Sequence, residues 1–253
     1  MRWAVIIASI LVAGSVSGAQ ESIGHLVRQD RDADGAWHQS SEPYYPREGD
    51  LVFFNDHSVK WGLLYKFVGS DAPYHAALIF KKPDGAYATA EAGPNDTLRC
   101  RVLELSPRLH GWEHTLEIRR CKKILTAEQS KAMTDWAMEQ DGKRYALGRL
   151  LLQATPVRAR GPARKALFGA PYTDRCSYLC AELAVAGATV GGILDPNIHK
   201  GNTIYPRDIV FNDVYDLAPL YHDVQVWVSS PIVPQSSPRV DVIRADFVRP
   251  TGR

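Results

Sequence analysis

Apolar residues open the chain as a single block. Ala4 to Val16 is almost uninterrupted, with Met1-Arg2-Trp3 before it and the small residues Ser17-Gly18-Ala19 after it. A positive start, a short apolar run and a small-residue exit are the pattern of a secretory signal peptide over residues 1–19, with cleavage expected after Ala19. The block falls short of the roughly 20 apolar residues that a membrane-spanning helix needs. From Glu21 to Arg47 the chain is polar and broken by Pro43 and Pro46, so residues 20–48 read as a short helix and an approach loop. Gly49-Asp50-Leu51-Val52-Phe53-Phe54 then reads as a turn entering a buried strand, and Val59, Leu63, Leu64, Phe67 and Val68 recur at helical spacing.

Three strands are predicted next, His75 to Phe80, Ala86 to Ala92 and Leu98 to Leu105, with Lys82-Pro83-Asp84-Gly85 turning between the first two. Thr115 to Cys121 makes a fourth. Thr126 and Gln129 have the spacing of a capping box, so a helix starts there and stops near Gly142. A second long helix is predicted from about Tyr178 to Val190. Val224 to Val228 and Val240 to Val248 are further strand candidates, and Pro231, Pro234 and Pro238 mark 231–253 as a tail to a domain spanning 49–230. No internal repeat or low-complexity domain interrupts this order.

Composition and charge add little. Net charge is +2, which points to no particular partner, and no nucleic acid is expected. Charge is uneven in one place: between Gly142 and Thr173 stand Lys143, Arg144, Arg149, Arg158, Arg160, Arg164 and Lys165 with no acidic residue. The Lys143–Lys165 segment is either a solvated face or a surface for an anionic polymer or lipid headgroup. Four cysteines are too few for a disulfide framework, although Cys100 and Cys121, both in strand-like contexts, are candidates to pair in an oxidising compartment. Asn95-Asp96-Thr97 is a glycosylation sequon, meaningful only in a host that glycosylates exported proteins.

The familiar signatures of phosphate-binding glycine loops, serine-hydrolase elbows and His-Glu-x-x-His metal sites are missing from the sequence. His110 and His114 have ligand-like spacing but no clear third ligand, so no metal site is assigned. Chemistry is therefore sought at the cysteines. A thiolate is favoured at a helix N-terminus and beside an imidazolium. Cys180 precedes the helix-forming Ala181-Glu182-Leu183-Ala184-Val185-Ala186, whereas a lone cysteine on an apolar helix is ordinarily an inert buried thiol. His75 begins a strand, where its imidazole can face a helix. Glu91 ends the neighbouring strand and can orient that imidazole as the third member of a triad.

These segments resemble the circularly permuted papain-like hydrolases of the NlpC superfamily, in particular its YiiX/YebB-like branch. Gly49-Asp50-Leu51-Val52-Phe53, the His75 strand followed by Glu91, and Tyr178-Leu179-Cys180-Ala181-Glu182-Leu183 carry the resemblance. Gly192-Ile193-Leu194-Asp195-Pro196 and Tyr205-Pro206-Arg207-Asp208 extend it. The order histidine, acid, cysteine is that of the permuted arrangement. Ala181 stands where the branch commonly has serine, Cys176 is an additional thiol, and the stretch from Tyr145 to Tyr172 has no counterpart.

The resemblance implies an α+β fold, a small antiparallel sheet packed against the cysteine-bearing helix. It also implies a thiol hydrolase that cleaves an amide or peptide bond, with Cys180 as nucleophile, His75 as base and Glu91 as orienting acid; the signal-peptide pattern makes the expected enzyme an exported one. His75 takes the thiol proton, the thiolate attacks a carbonyl, backbone N–H groups at the helix start meet the oxyanion, and water cleaves the acyl-thioester. Neither metal nor organic cofactor is called for. The expected substrate is a peptide, cell-wall or lipid-derived compound, because related permuted enzymes act on lipid acyl groups. The alternative outside enzymology is a silent binding module at the envelope. Cys176-Ser177-Tyr178-Leu179 also matches the cysteine start of unpermuted relatives, but the Glu182-Leu183 that follows favours Cys180.

Overall fold

The computed structural model describes residues 21–31, 37–56, 59–67, 70–93, 97–153, 155 and 166–231. The expected signal peptide, the strand candidate Val240–Val248, Asn95 and Asp96 of the sequon, and Arg158, Arg160, Arg164 and Lys165 lie outside these residues. No helix among the described residues is long and apolar enough to cross a membrane.

The chain is a mixed α+β protein with a mostly antiparallel sheet. Its strands are β1 (His25–Arg31), β2 (Trp37–Pro43), β3 (Leu51–Asn55), β4 (His75–Lys81), β5 (Tyr87–Ala92), β6 (Cys100–Glu104), β7 (Thr115–Cys121), the short pair β8 (Arg144–Tyr145) and β9 (Ser177–Tyr178), and β10 (Tyr221–Val228). The helices are α1 (Val59–Phe67), α2 (Leu105–His110), α3 (Ala127–Gln140), α4 (Leu147–Leu152), α5 (Cys180–Val190) and α6 (Pro206–Phe211). Eight strands form one sheet in the order β2-β1-β10-β7-β3-β4-β5-β6, with every neighbouring pair antiparallel. β8 and β9 pair in parallel beside it.

Three expectations change. The polar stretch before Gly49 forms the β1–β2 hairpin and not a helix and loop, with Leu26 and Val27 as its buried apolar residues. Such a hairpin suits a sheet edge, where few buried positions are required. β10 then bridges β1 and β7, so the sheet is larger than expected. Cys100 and Cys121 do not pair: both are free, on β6 and β7, which stand four strand positions apart. At roughly 4.8 Å between strands that separation far exceeds the reach of a disulfide.

The sheet buries both faces. Alternate residues Leu51, Phe53, Ala76, Leu78 and Phe80 join the core with α3 and α5, while Val52, Phe54, Ala77 and Ile79 join a second core with Leu105 and Leu109 of α2. Two glycines set close approaches. A Cβ on Gly187 of α5 would lie 2.2 Å from Leu78 Cδ2 and 2.7 Å from Trp136, so this glycine lets the cysteine helix settle onto β4. Gly49 has φ +90°, and a Cβ there would come within 2.3 Å of Ile193. Beside it Asp50 is fully buried, accepting from Tyr44 Oη (2.8 Å), Arg47 N (3.0 Å) and Cys121 N (2.7 Å). The Gly-Asp motif thus fastens the start of β3. The capping box of α3 forms between Thr126 and Gln129 as the sequence predicts.

Candidate active site

α5 begins at Cys180 itself, one turn later than Cys176, which is exposed in the bend before β9. A helix extending back through Cys176 is therefore ruled out, and the two sulfurs do not share one helix face. Leu179, extended at φ −86° and ψ 157°, caps α5. Its N–H donates to Glu182 Oε2 at 3.2 Å, so the glutamate of the Cys-x-Glu-Leu motif closes the first turn. Arg149 and Arg175 meet Glu182 Oε1 at 2.7 and 3.2 Å. The charge of this buried carboxylate is thereby balanced locally. Cys180, 3% exposed, stands where the helix dipole favours an anion.

His75 is the first residue of β4. β4 is a central strand, so the imidazole sits at the sheet's end and not on an edge strand. It packs on Phe54, ring centroids 5.3 Å apart, and the start of α5 reaches the same corner: Cys180 Sγ contacts the Tyr74 carbonyl oxygen at 3.9 Å. His75 Nε2 lies 2.9 Å from Glu91 Oε2. With Nε2 engaged, Nδ1 is the nitrogen left to face Cys180; it is buried and makes no hydrogen bond. Burial disfavours the imidazolium, but the interactions with Cys180 and Glu91 outweigh it and push His75 up to about 9.

Glu91 is the most fully bonded group of the site. Besides His75, its Oε2 accepts from Arg108 Nη2 at 2.8 Å, and its Oε1 accepts from Arg108 Nε at 3.0 Å and Thr89 Oγ1 at 2.7 Å. Four donors saturate an ionised carboxylate. Burial alone would raise Glu91, but the His75 contact and the Arg108 cation hold it down to about 2. The Arg108 guanidinium is itself sandwiched near Phe54 (4.6 Å) and Trp112 (5.3 Å). Hydrogen bonds thus join Arg108, Glu91 and His75 in one chain, and Cys180 lies at the same corner beside His75. Glu91 is consequently a structural tie as well as a site residue.

Sequence reasoning missed the rest of the shell. Arg108 comes from α2, of which only Leu105 was assigned, as the last residue of a strand; Ser106-Pro107 in its first turn was the available signal. Tyr65 of α1 donates to the Tyr74 carbonyl at 2.5 Å and borders Cys180. Tyr145 of β8 and Tyr205 before α6 close the same space. In the basic stretch, Lys143 pairs with Asp174 at 2.9 Å and Arg149 with Glu182, so carboxylates from beyond Thr173 answer two of its charges. Arg99, Lys143, Arg144 and Arg149 nevertheless line an open trough with Tyr145 and Cys176, and no carboxylate lines it.

No family model and no curated protein matches the chain. Among solved structures it is similar to the metalloprotein YiiX of Escherichia coli O157:H7, with 16% sequence identity and a TM-score of 0.39 over 58% of this chain. The match spans 66% of that chain, just under two thirds of its length. The word metalloprotein describes YiiX. Among the described residues here, no group of three or more His, Cys, Asp and Glu side chains is arranged to hold a metal ion.

Proposed function

We propose that this chain is an exported thiol hydrolase of the circularly permuted papain-like kind, acting through an acyl-thioester on Cys180. The observation that carries the reading is the junction of a buried thiol at the first residue of an 11-residue helix with an imidazole oriented by a saturated carboxylate. An inert core cysteine needs no such partner. In the reaction His75 receives the thiol proton on Nδ1, and the thiolate adds to a carbonyl. The imidazolium then protonates the leaving group, and the freed imidazole activates the water that cleaves the thioester. Glu91 keeps Nε2 protonated and so leaves the correct nitrogen facing the sulfur.

The first substrate reading is an amide or peptide bond, as in cell-wall peptide, approached along the basic trough. A lipid acyl substrate is the second reading, and a specific feature favours it. α1, which carries Tyr65, and α4, which follows Tyr145 of β8, expose Val59, Leu63 and Phe67 and also Leu147, Leu151 and Leu152. The test is to incubate the purified protein with soluble cell-wall peptides and, separately, with phospholipid vesicles, and to follow products by mass spectrometry. Hydrolysis of either that disappears in Cys180→Ala supports the enzyme and selects its substrate. Binding without turnover, together with a thiol inert to iodoacetamide, would identify a binding module instead.

A further inference from the structure

A second group of cations gathers beside Glu91 at the edge of the sheet. β6 is the edge strand, and its Arg101 is registered opposite Glu91 of β5. Arg99 stands two residues earlier, on the same side as Arg101 by the alternation of an extended chain, and its carbonyl accepts from Gly93 N at 3.3 Å. With Thr97 and Arg108 these residues line a cavity of about 220 Å³, its open mouth included. Glu91 is the one carboxylate among the described residues of that wall, set against three guanidinium groups. It is already saturated by His75, Thr89 and Arg108, so Arg99 and Arg101 are left without a counter-charge.

The donors that remain in this wall are few and well defined. Arg108 commits Nε and Nη2 to Glu91, which leaves Nη1. Arg99 Nη1 donates to the Gly142 carbonyl at 2.9 Å, a bond that holds the guanidinium without neutralising it. The Arg101 side chain has no partner among the described residues. The Thr97 hydroxyl is buried and unpaired, and a buried polar group left without a partner calls for an explanation. We propose that the cavity is an anion site that binds a phosphate group, free or carried as a monoester on a larger molecule. A phosphate presents oxygens in several directions, which suits guanidinium forks from both α2 and β6 together with the Thr97 hydroxyl; a carboxylate has only two oxygens in one plane. Arg99 also lines the basic trough, so cavity and trough adjoin at this residue. The site stands apart from the thiol chemistry, since Arg99, Arg101 and Thr97 bind the anion whether or not Cys180 is a nucleophile.

The test is isothermal titration calorimetry of the full chain with inorganic phosphate and, separately, with phenyl phosphate, at neutral pH and a constant ionic strength near 0.15 M, where exposed charges are screened beyond about 8 Å. One phosphate is expected to bind per chain. Arg101→Gln, a change at an exposed position that circular dichroism should show to be folded, is expected to weaken binding roughly 10–100-fold, the loss of one charge-assisted hydrogen bond. Thr97→Val should weaken it several-fold without lowering the melting temperature, because the hydroxyl gives up no bond in the empty site. Arg144→Gln, in the trough and not in the cavity wall, should leave the affinity at the wild-type value. Tighter binding of inorganic phosphate supports a free ion as the occupant, and tighter binding of phenyl phosphate supports a phosphate group on a larger molecule. No saturable heat at millimolar phosphate, or equal affinity in wild type and Arg101→Gln, would overturn the site. So would a loss in Arg144→Gln as large as that in Arg101→Gln, which would place the anion in the trough. An inert Cys180 thiol would sink the hydrolase reading and leave these titrations unchanged, so the two failures are distinguishable.

Discussion

Replacing Glu91 by Gln removes one charge and leaves the shape of the network almost intact. The carboxylate oxygen lies 2.9 Å from His75 Nε2, which sets the charge centres about 4 Å apart; at an effective dielectric near 20 the attraction is about 4 kcal/mol. At about 1.36 kcal/mol per pH unit this is an upper limit of roughly three pH units on the imidazolium, since Arg108 already shields part of the carboxylate. The shielding reverses in the variant, because the Arg108 cation then faces His75 without a counter-charge. We expect the His75 transition near 9 to move down by about two pH units or more. The assay is kcat/KM for nitrophenyl acetate against pH in a Cys176→Ser background, where a thiolate–imidazolium pair gives an alkaline limb at the His75 transition. Stability changes in step. The raised His75 stabilises the fold fully below about 6.5, and this contribution is lost as pH rises through about 9. The lowered Glu91 stabilises it above about 4.5, lost as pH falls through about 2. Glu91→Gln should flatten this profile and cost about 1–3 kcal/mol through the weakened Arg108 and Thr89 bonds. An alkaline limb that stays near 9 would mean that the Glu91 charge does not hold the His75 imidazolium.

Further predictions concern the base, the sheet and the trough. His75→Ala should lower turnover by about 10²–10⁴-fold, measured with the same ester, while circular dichroism shows the fold retained. Glu117, buried in β7 with Oε2 unpartnered, is raised by burial to about 8, so the folded state holds its proton more tightly than the unfolded chain. Stability should therefore fall as pH rises from about 4.5 to about 8, by at most roughly 4–5 kcal/mol, and Glu117→Gln should abolish that fall in urea titrations. Binding of anionic cell-wall polymer should weaken steeply as salt is raised past 0.1 M and weaken again in Arg144→Gln. Salt-independent binding would leave the trough as a solvated face.

The sequence was most legible where one local pattern determined one element. The Lys82–Gly85 turn between apolar runs marked β4 and β5, and Thr126 with Gln129 marked the start of α3. Cys180 before a run of helix formers marked α5, although its first residue was placed two positions early. The β1–β2 hairpin was lost because an edge strand can be largely polar and gives no apolar alternation. Arg108, Tyr65 and Tyr145 were lost for another reason. Their roles arise from contacts between separate elements, such as Arg108 with Glu91, 17 positions apart, and Tyr65 with Cys180, more than a hundred positions apart. No spacing rule within one element encodes such contacts. Charge counting within 142–173 failed similarly, since Asp174 and Glu182 lie just outside the window.

The proposed hydrolysis requires Cys180 to be the reactive thiol. Its most direct test is iodoacetamide alkylation of each single cysteine variant at mildly acidic pH, with the modified residue identified by peptide mass spectrometry. Cys176 is exposed and Cys180 is buried, so accessibility alone would favour Cys176. A reactive Cys180 gives the opposite ranking: rapid alkylation persists in Cys176→Ser and vanishes in Cys180→Ser. Rapid labelling that survives in Cys180→Ser and disappears in Cys176→Ser would contradict it.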